Sequence, residues 1–206
     1  MVSRPPLSRS RQARALAFTL GLSLLVVGLI ALLAAEKSWA SLMARGLGHL
    51  SFLLLGLILL SSPLARFYST PTLTRLVLWR RPLGIATLVP ATVHFALVIW
   101  STPELLEGVI HPLTDLPGMV AFLLLLWMGF TSRRGAQQRL GPGRWKRLHR
   151  RAILAAFALT APAAVGAEFL PLGVIAVLFS VLVLSYRLRY YKARERPAAR
   201  LPADSA

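Results

Sequence analysis

The chain has 206 residues, of which 56% are hydrophobic and 15% charged, and its mean hydropathy is +0.63. Soluble domains carry roughly a quarter charged residues, so this composition predicts an integral membrane protein. The formal net charge is +17, but the basic residues lie between apolar segments of membrane-spanning length, so nucleic acid is not an expected partner. Because cysteine is absent, thiolate metal sites and iron–sulfur clusters are excluded, and any redox chemistry has to belong to a bound cofactor.

Six apolar segments follow one another along the chain, each near or slightly short of the roughly 20 residues that span a bilayer. The predicted spans are 15–35, 47–65, 82–101, 117–132, 151–167 and 170–188. The first is longer than the roughly 7–15 apolar residues of a signal peptide and is interpreted as a retained helix. The predicted fold is all-α, a polytopic membrane protein with a six-helix transmembrane bundle over 15–190, a basic N-terminal segment 1–14 and a tail 191–206.

The basic residues predict the orientation of this bundle. With the six spans in place, 22 of the 24 Lys and Arg residues fall on one side, and only Lys37 and Arg45 fall on the other. Cytoplasmic loops carry the excess of Lys and Arg, so both termini are predicted to be cytoplasmic. The expected location is the bacterial inner membrane.

Familiar catalytic signatures are missing from the sequence. It contains no phosphate-binding glycine loop, no dinucleotide fingerprint, no His-Glu-x-x-His and no plausible Ser-His-Asp set. A stand-alone enzyme that binds NAD(P)H is therefore not expected. The classes that remain are a membrane electron-transfer subunit and a non-redox membrane scaffold or assembly subunit.

His94 is the first candidate functional residue, since it lies inside the third apolar segment. Ten residues separate it from Gly84, which places the imidazole about 15 Å from the membrane edge marked by Arg80 and Arg81. A histidine at that depth is costly unless the bundle uses it. A haem or iron ligand, a proton relay and an interhelical hydrogen bond are all compatible with a neutral imidazole there.

The other three histidines are distributed between the two membrane faces. His49 is predicted about 5 Å below the outer edge, within about one helical turn of the height of His94. His149 lies in a basic segment at the inner mouth of the fifth span, where an interfacial residue is the simpler interpretation. His111 lies in a polar outer loop and is interpreted as solvated.

Three motifs resemble the ferric-reductase-like transmembrane family. Residues 80–84, RRPLG, are followed ten residues later by His94, and residues 144–150, RWKRLHR, come after Thr131-Ser132 at the end of a helix. Residues 62–66, SPLAR, are similar to the end of that family's second helix. Within the family, the chain resembles the haem-binding membrane subunits of bacterial systems that repair oxidised methionine in periplasmic proteins.

The resemblance implies a haem b electron-transfer subunit with no flavin domain of its own. Electrons would arrive from quinol or from a separate cytoplasmic flavin reductase, with a quinone or FMN as a further cofactor, and would leave to a periplasmic molybdopterin reductase. The implied axial ligands of the haem iron are among His94, His149 and His49.

One position departs from the family pattern. The family carries a second histidine thirteen residues after that of the RWKRLHR motif, where this chain has Pro162. Proline has no ligating atom and no backbone donor. Two interpretations remain: His49 replaces the missing ligand of His94, or the chain is a divergent member with a five-coordinate, reduced or absent haem.

The basic segment 133–151 and the tryptophans have simpler interpretations. Eight positive charges in that segment are typical of a cytoplasmic loop on anionic headgroups, with a docking patch for an acidic flavoprotein or a quinone as the alternative. Trp79, Trp100, Trp127 and Trp145 are interpreted as interfacial anchors.

Overall fold

The computed structural model describes residues 9–33, 39–102, 105, 107–108, 115–167 and 170–195. All regular secondary structure in these ranges is helical. The helices are α1 (Arg9–Leu33), α2 (Trp39–Tyr68), α3 (Pro71–Ala86), α4 (Leu88–Ser101), α5 (Asp115–Thr131), α6 (Arg134–Leu140), α7 (Pro142–Ala167) and α8 (Leu170–Glu195). The prediction of an all-α fold is confirmed.

Within the described residues, three helical segments are long and apolar enough to cross a membrane: Trp39–Tyr68, Pro71–Ser101 and Gly173–Tyr191. The same residues contain two shorter apolar segments, Ala13–Leu25 and Asp115–Thr131. Each of the six predicted apolar segments overlaps a helix, and the predicted division between the last two falls between the end of α7 and the start of α8. The six-span topology with cytoplasmic termini stays a prediction.

The third predicted span begins earlier than its hydropathy indicates. The helix starts at Pro71 because Thr70 caps it: the Thr70 side chain accepts a hydrogen bond from the Leu73 amide, and proline is favoured at the first helical position. The segment is divided at Thr87, between α3 and α4. Pro90 has no amide hydrogen to donate to the carbonyl three to four residues earlier, which accounts for the interruption here.

α2 is the central helix of the bundle and packs on α1, α3, α4, α7 and α8. α4 packs mainly on α2, and α5 packs mainly on α7. The largest buried cluster joins α2, α4, α5, α7 and α8, and its aromatic centre is a parallel stack of Phe52 on Phe157 with ring centroids 5.1 Å apart. This stack sets the relative height of α2 and α7.

A buried arginine of α8 bonds to a carbonyl of α2 that a proline leaves without its backbone donor. Pro63 lies inside α2 and cannot donate to the carbonyl of Leu59, four residues earlier. Arg187 of α8, only 7% exposed, donates from Nη1 to that carbonyl at 3.2 Å. The Arg187 Nε also donates to the Tyr191 hydroxyl at 3.0 Å. The guanidinium therefore replaces a backbone donor that α2 lacks.

Candidate functional site

His94 is held by a backbone group of α2. Its Nδ1 lies 2.6 Å from the carbonyl oxygen of Ala44, a residue that is 3% exposed. Since a carbonyl only accepts, this contact assigns the proton to Nδ1 and leaves the lone pair on Nε2. Histidines that bind metals commonly donate their second ring nitrogen to a backbone carbonyl in this way.

Gly48 forms the surface on which the His94 ring rests. A Cβ atom built at Gly48 would lie 2.9 Å from Cε1, 3.0 Å from Nδ1 and 3.5 Å from Nε2 of His94. Carbon atoms pack best about 3.5–4.0 Å apart. The absence of a side chain at position 48 is thus what allows the imidazole to lie against α2.

His49 lies one residue beyond Gly48, at the height expected from the sequence. Its Nδ1 is 2.7 Å from the carbonyl of Arg45 in its own helix. Adjacent residues of an α-helix point about 100° apart. The ring of His49 therefore leaves α2 in a different direction from the Gly48 surface that contacts His94.

The backbone register places Pro162 near the height of His94. Phe52 of α2 is level with Phe157 of α7. Four residues towards the amino end of α2 lead to Gly48, and the same rise towards the carboxyl end of α7 leads to residue 161, because the two helices run in opposite directions. The sequence here is Thr160-Ala161-Pro162, which offers no imidazole.

His149 lies at the other end of the bundle, between two tryptophans. Its ring centroid is 4.2 Å from that of Trp145 and 5.9 Å from that of Trp127. Its Nε2 is 3.3 Å from both the Thr131 hydroxyl and the Met128 carbonyl. Its Nδ1 is buried without a hydrogen-bond partner of good geometry in the described residues. The imidazole is half-buried and packs against two aromatic rings.

Burial controls the protonation of this ring. The pKa of His149 is lowered from its ordinary value mainly because burial penalises the charged form. The carbonyls of Met128 and Trp145 raise it and the positive charge of Arg81 lowers it further. At neutral pH the imidazole is therefore neutral, which is the form that can ligate a metal or accept a proton.

Carbonyls at the carboxyl end of α5 accept hydrogen bonds from two residues of the sequence motifs, Arg81 and Trp145. The Ser132 carbonyl accepts from Arg81 Nη2 at 2.7 Å and from Gln137 Nε2 at 2.9 Å, and the Thr131 carbonyl accepts from Trp145 Nε1 at 2.9 Å. These donors satisfy carbonyls that a helix end leaves without intrahelical partners. Trp145 thus does more than anchor the interface, and its partner lies 14 residues away in sequence, where no local pattern indicates it.

The two candidate ligands lie at different heights. Leu88, at the start of α4, contacts Gly129 next to the Met128 that faces His149. Six residues separate Leu88 from His94, a rise of about 9 Å along the helix. His94 and His149 therefore cannot be the two axial ligands of one iron, in agreement with the sequence-based depth estimate. His111 lies outside the described residues.

The residues at both positions fit an axial role towards a haem. At His94, the Gly48 surface and the Ala44 carbonyl fix the tautomer that leaves Nε2 with a lone pair. At His149, the described residues leave the buried Nδ1 without a hydrogen-bond partner of good geometry. Within the described ranges no three His, Asp or Glu side chains cluster around a common point, but a porphyrin-bound iron requires only one or two protein ligands.

The chain belongs to a known membrane family. The family model described as "Ferric reductase like transmembrane component" matches residues 47–160, more than half of the chain. That range begins just before Gly48, contains His94 and His149, and ends at Thr160, two residues before Pro162.

The curated relatives that match this chain include haem-binding subunits named MsrQ. The chain is 33% identical over 111 residues to the protein-methionine-sulfoxide reductase heme-binding subunit MsrQ of Herminiimonas arsenicoxydans, covering 52% of this chain and 50% of that protein. It is 38% identical over 112 residues to MsrQ of Yersinia pseudotuberculosis serotype O:1b, covering 50% of this chain and 51% of that protein. The chain thus spans about half the length of the curated relatives that it matches.

Proposed function

We propose that this protein is a haem b-containing electron-transfer subunit with six membrane spans in the bacterial inner membrane. It takes electrons from quinol or from a cytoplasmic flavin reductase and delivers them to a periplasmic reductase. The family membership and the heme-binding relatives support the class of protein. The contact between His94 and Ala44 carries the proposal for this chain, because it prepares a deeply placed imidazole for ligation through Nε2.

Each proposed ligand has a defined supporting environment. Ala44 and Gly48 orient His94, while Trp145 and the α5 carbonyls confine His149. A bound haem supplies reversible one-electron transfer at its iron. The apolar packing of the bundle excludes water and, together with hydrogen bonds to the ligands, adjusts the reduction potential. Electrons would cross the membrane between the inner, basic face and the outer face.

The proposed partners follow from the names of the relatives and the charge of the inner face. MsrQ is named as the heme-binding subunit of a protein-methionine-sulfoxide reductase, so a reductase of that kind is the proposed electron acceptor of this chain. The family resemblance described above implies that this acceptor is a periplasmic molybdopterin enzyme. The basic segment 133–151 is a suitable surface for an acidic flavin reductase, with FMN or a quinone as the proximal donor. The lipid bilayer is the remaining partner.

One observation favours a second function. The α7 backbone at the height of His94 contributes Thr160-Ala161-Pro162 and no imidazole. A chain that has lost the second ligand there would act as a membrane scaffold or assembly subunit with reduced or no haem.

The deciding experiment is purification of the full chain in detergent, with adequate haem during expression. A pyridine haemochrome assay should give at least one haem b per chain, and the reduced-minus-oxidised spectrum should show a b-type band. His94→Ala and His149→Ala should each lower the haem content or change the b-type band if that residue is a ligand. His111→Ala is the matched control and should retain the wild-type spectrum.

The outcomes separate the functions and the ligands. A colourless wild-type protein would refute the electron-transfer function and leave the scaffold. If His49 is the second ligand of His94, His49→Ala should convert a low-spin spectrum to a high-spin one. An unchanged spectrum in that variant would exclude His49.

A further inference from the structure

A cleft between α1 and α3 has no part in the site described above. It has a volume of about 350 Å³ and is lined by Arg14, Ala15, Phe18, Leu76, Trp79 and Leu83. Its floor is a buried cluster in which Ala15 packs with Ile58, Leu83 and Ala86. This volume is at the lower end of the roughly 300–1,000 Å³ typical of small-molecule sites.

The cleft faces the lipid rather than the centre of the bundle. Phe18 is 59% exposed, and Arg14 is exposed on the same helix. The proposed topology places this part of α1 at the inner leaflet, since Arg14 belongs to the basic N-terminal segment. In a bilayer, an apolar cleft at this position is accessible to acyl chains.

The cleft is lined almost entirely by apolar atoms, and two of its lining residues also carry a polar group. Arg14 and Trp79 are the two lining residues with polar side chains, and both are hydrogen-bond donors without acceptor atoms. Within the described residues no carboxylate pairs with Arg14. A guanidinium binds phosphate oxygens bidentately, and basic pockets between transmembrane helices on the cytoplasmic side bind anionic headgroups.

We propose that this cleft is a binding site for an anionic phospholipid of the inner leaflet. One acyl chain lies against Phe18 and Leu83, and the phosphate binds Arg14 with Trp79 at headgroup level. A neutral quinone fits this chemistry less well, because a full positive charge selects an anion over a carbonyl oxygen. The bound lipid would connect α1 to α3, the helix that carries Arg81 to the candidate site.

The test compares two lipids and two arginine variants. The detergent-purified full chain is titrated with phosphatidylglycerol or with phosphatidylcholine of the same acyl chains, and the bound lipid is counted by native mass spectrometry. Arg14→Gln should weaken phosphatidylglycerol binding about fivefold to tenfold, since one basic residue is lost at the headgroup. Arg75→Gln is the matched control, because Arg75 is also exposed on the inner side but does not line the cleft.

Each outcome bears on the proposal. Selective retention of phosphatidylglycerol, lost in Arg14→Gln and kept in Arg75→Gln, supports it. Equal retention of both lipids, or an unchanged affinity in Arg14→Gln, overturns it. Displacement of the lipid by a neutral quinone analogue with equal strength in wild type and Arg14→Gln would assign the cleft to an isoprenoid instead. Circular dichroism confirms folding, and Arg14→Lys, which keeps the charge, should retain most of the binding.

Discussion

Gly48→Ala tests whether the close contact between α2 and His94 defines the outer site. The added Cβ would lie 2.9 Å from Cε1 and 3.0 Å from Nδ1 of the ring, so the imidazole has to move by about 0.5–1 Å to reach ordinary contact distances. That movement would lengthen the 2.6 Å contact of Nδ1 with the Ala44 carbonyl. Overpacking a tight site costs about 1–3 kcal/mol, and the displaced hydrogen bond contributes about 0.5–1.5 kcal/mol.

The control is Gly21→Ala in α1, where an added Cβ meets no atom within 4 Å. Replacing an unobstructed helical glycine by alanine should stabilise the protein by about 0.5–1 kcal/mol. We therefore expect the free energy of unfolding of Gly48→Ala to be lower than that of Gly21→Ala by at least about 1 kcal/mol. Thermal unfolding in detergent measures this difference.

A second readout is the absorption spectrum of the bound haem. Gly48→Ala should shift or broaden the bands, whereas Gly21→Ala should leave them unchanged. The reasoning would be refuted if Gly48→Ala were as stable as Gly21→Ala and had the wild-type spectrum. A loss of stability with an unchanged spectrum would assign Gly48 to packing alone.

Two further predictions concern Arg187 and His149. Arg187→Met should lower the free energy of unfolding by about 1–3 kcal/mol, because the buried Leu59 carbonyl loses its donor. The control is Arg189→Met, at an exposed position of the same helix, which should change the free energy of unfolding by less than about 0.5 kcal/mol. Equal thermal stability of the two variants would contradict the role of Arg187. The lowered pKa of His149 means that the unfolded chain takes up a proton at this residue before the folded chain does. This contribution to stability is complete above the unfolded pKa of about 6.5 and is lost as pH falls from there through the lower folded pKa. His149→Gln should flatten the decline of melting temperature measured from pH 7.5 to 5.5, and a slope equal to that of the wild type would exclude His149 as its source.

The helices were predictable because their signals are local. Apolar length and the spacing of basic residues located all six segments, and the turn between the last two was placed within a residue or two of the gap between α7 and α8. The starts of α2, α3 and α7 were placed too late. The first turns of all three helices lie outside the apolar stretches, and α3 begins at a cap, Thr70, rather than at a change in hydropathy.

The candidate site was predictable in its residues but only partly in its arrangement. The depth of His94 and its height match with His49 followed from the rise per residue of a helix. The direction of each ring did not, since it depends on the rotation of a helix about its axis. In the structure, the Nδ1 of His49 contacts the Arg45 carbonyl of its own helix. The Nδ1 of His94 contacts the Ala44 carbonyl, 50 residues away.

By itself, the sequence determined that this is a helical membrane protein of the ferric-reductase-like family, with imidazoles at two depths and no histidine at position 162. Only the tertiary structure shows that Gly48 provides the surface for His94, that Trp127 of α5 packs on His149, and that Arg187 supplies the donor that Pro63 withholds. Hydropathy and charge are properties of each segment, so the sequence shows them directly. An interhelical hydrogen bond, or the space left by a missing Cβ, depends on how two helices that are distant in sequence are placed against each other.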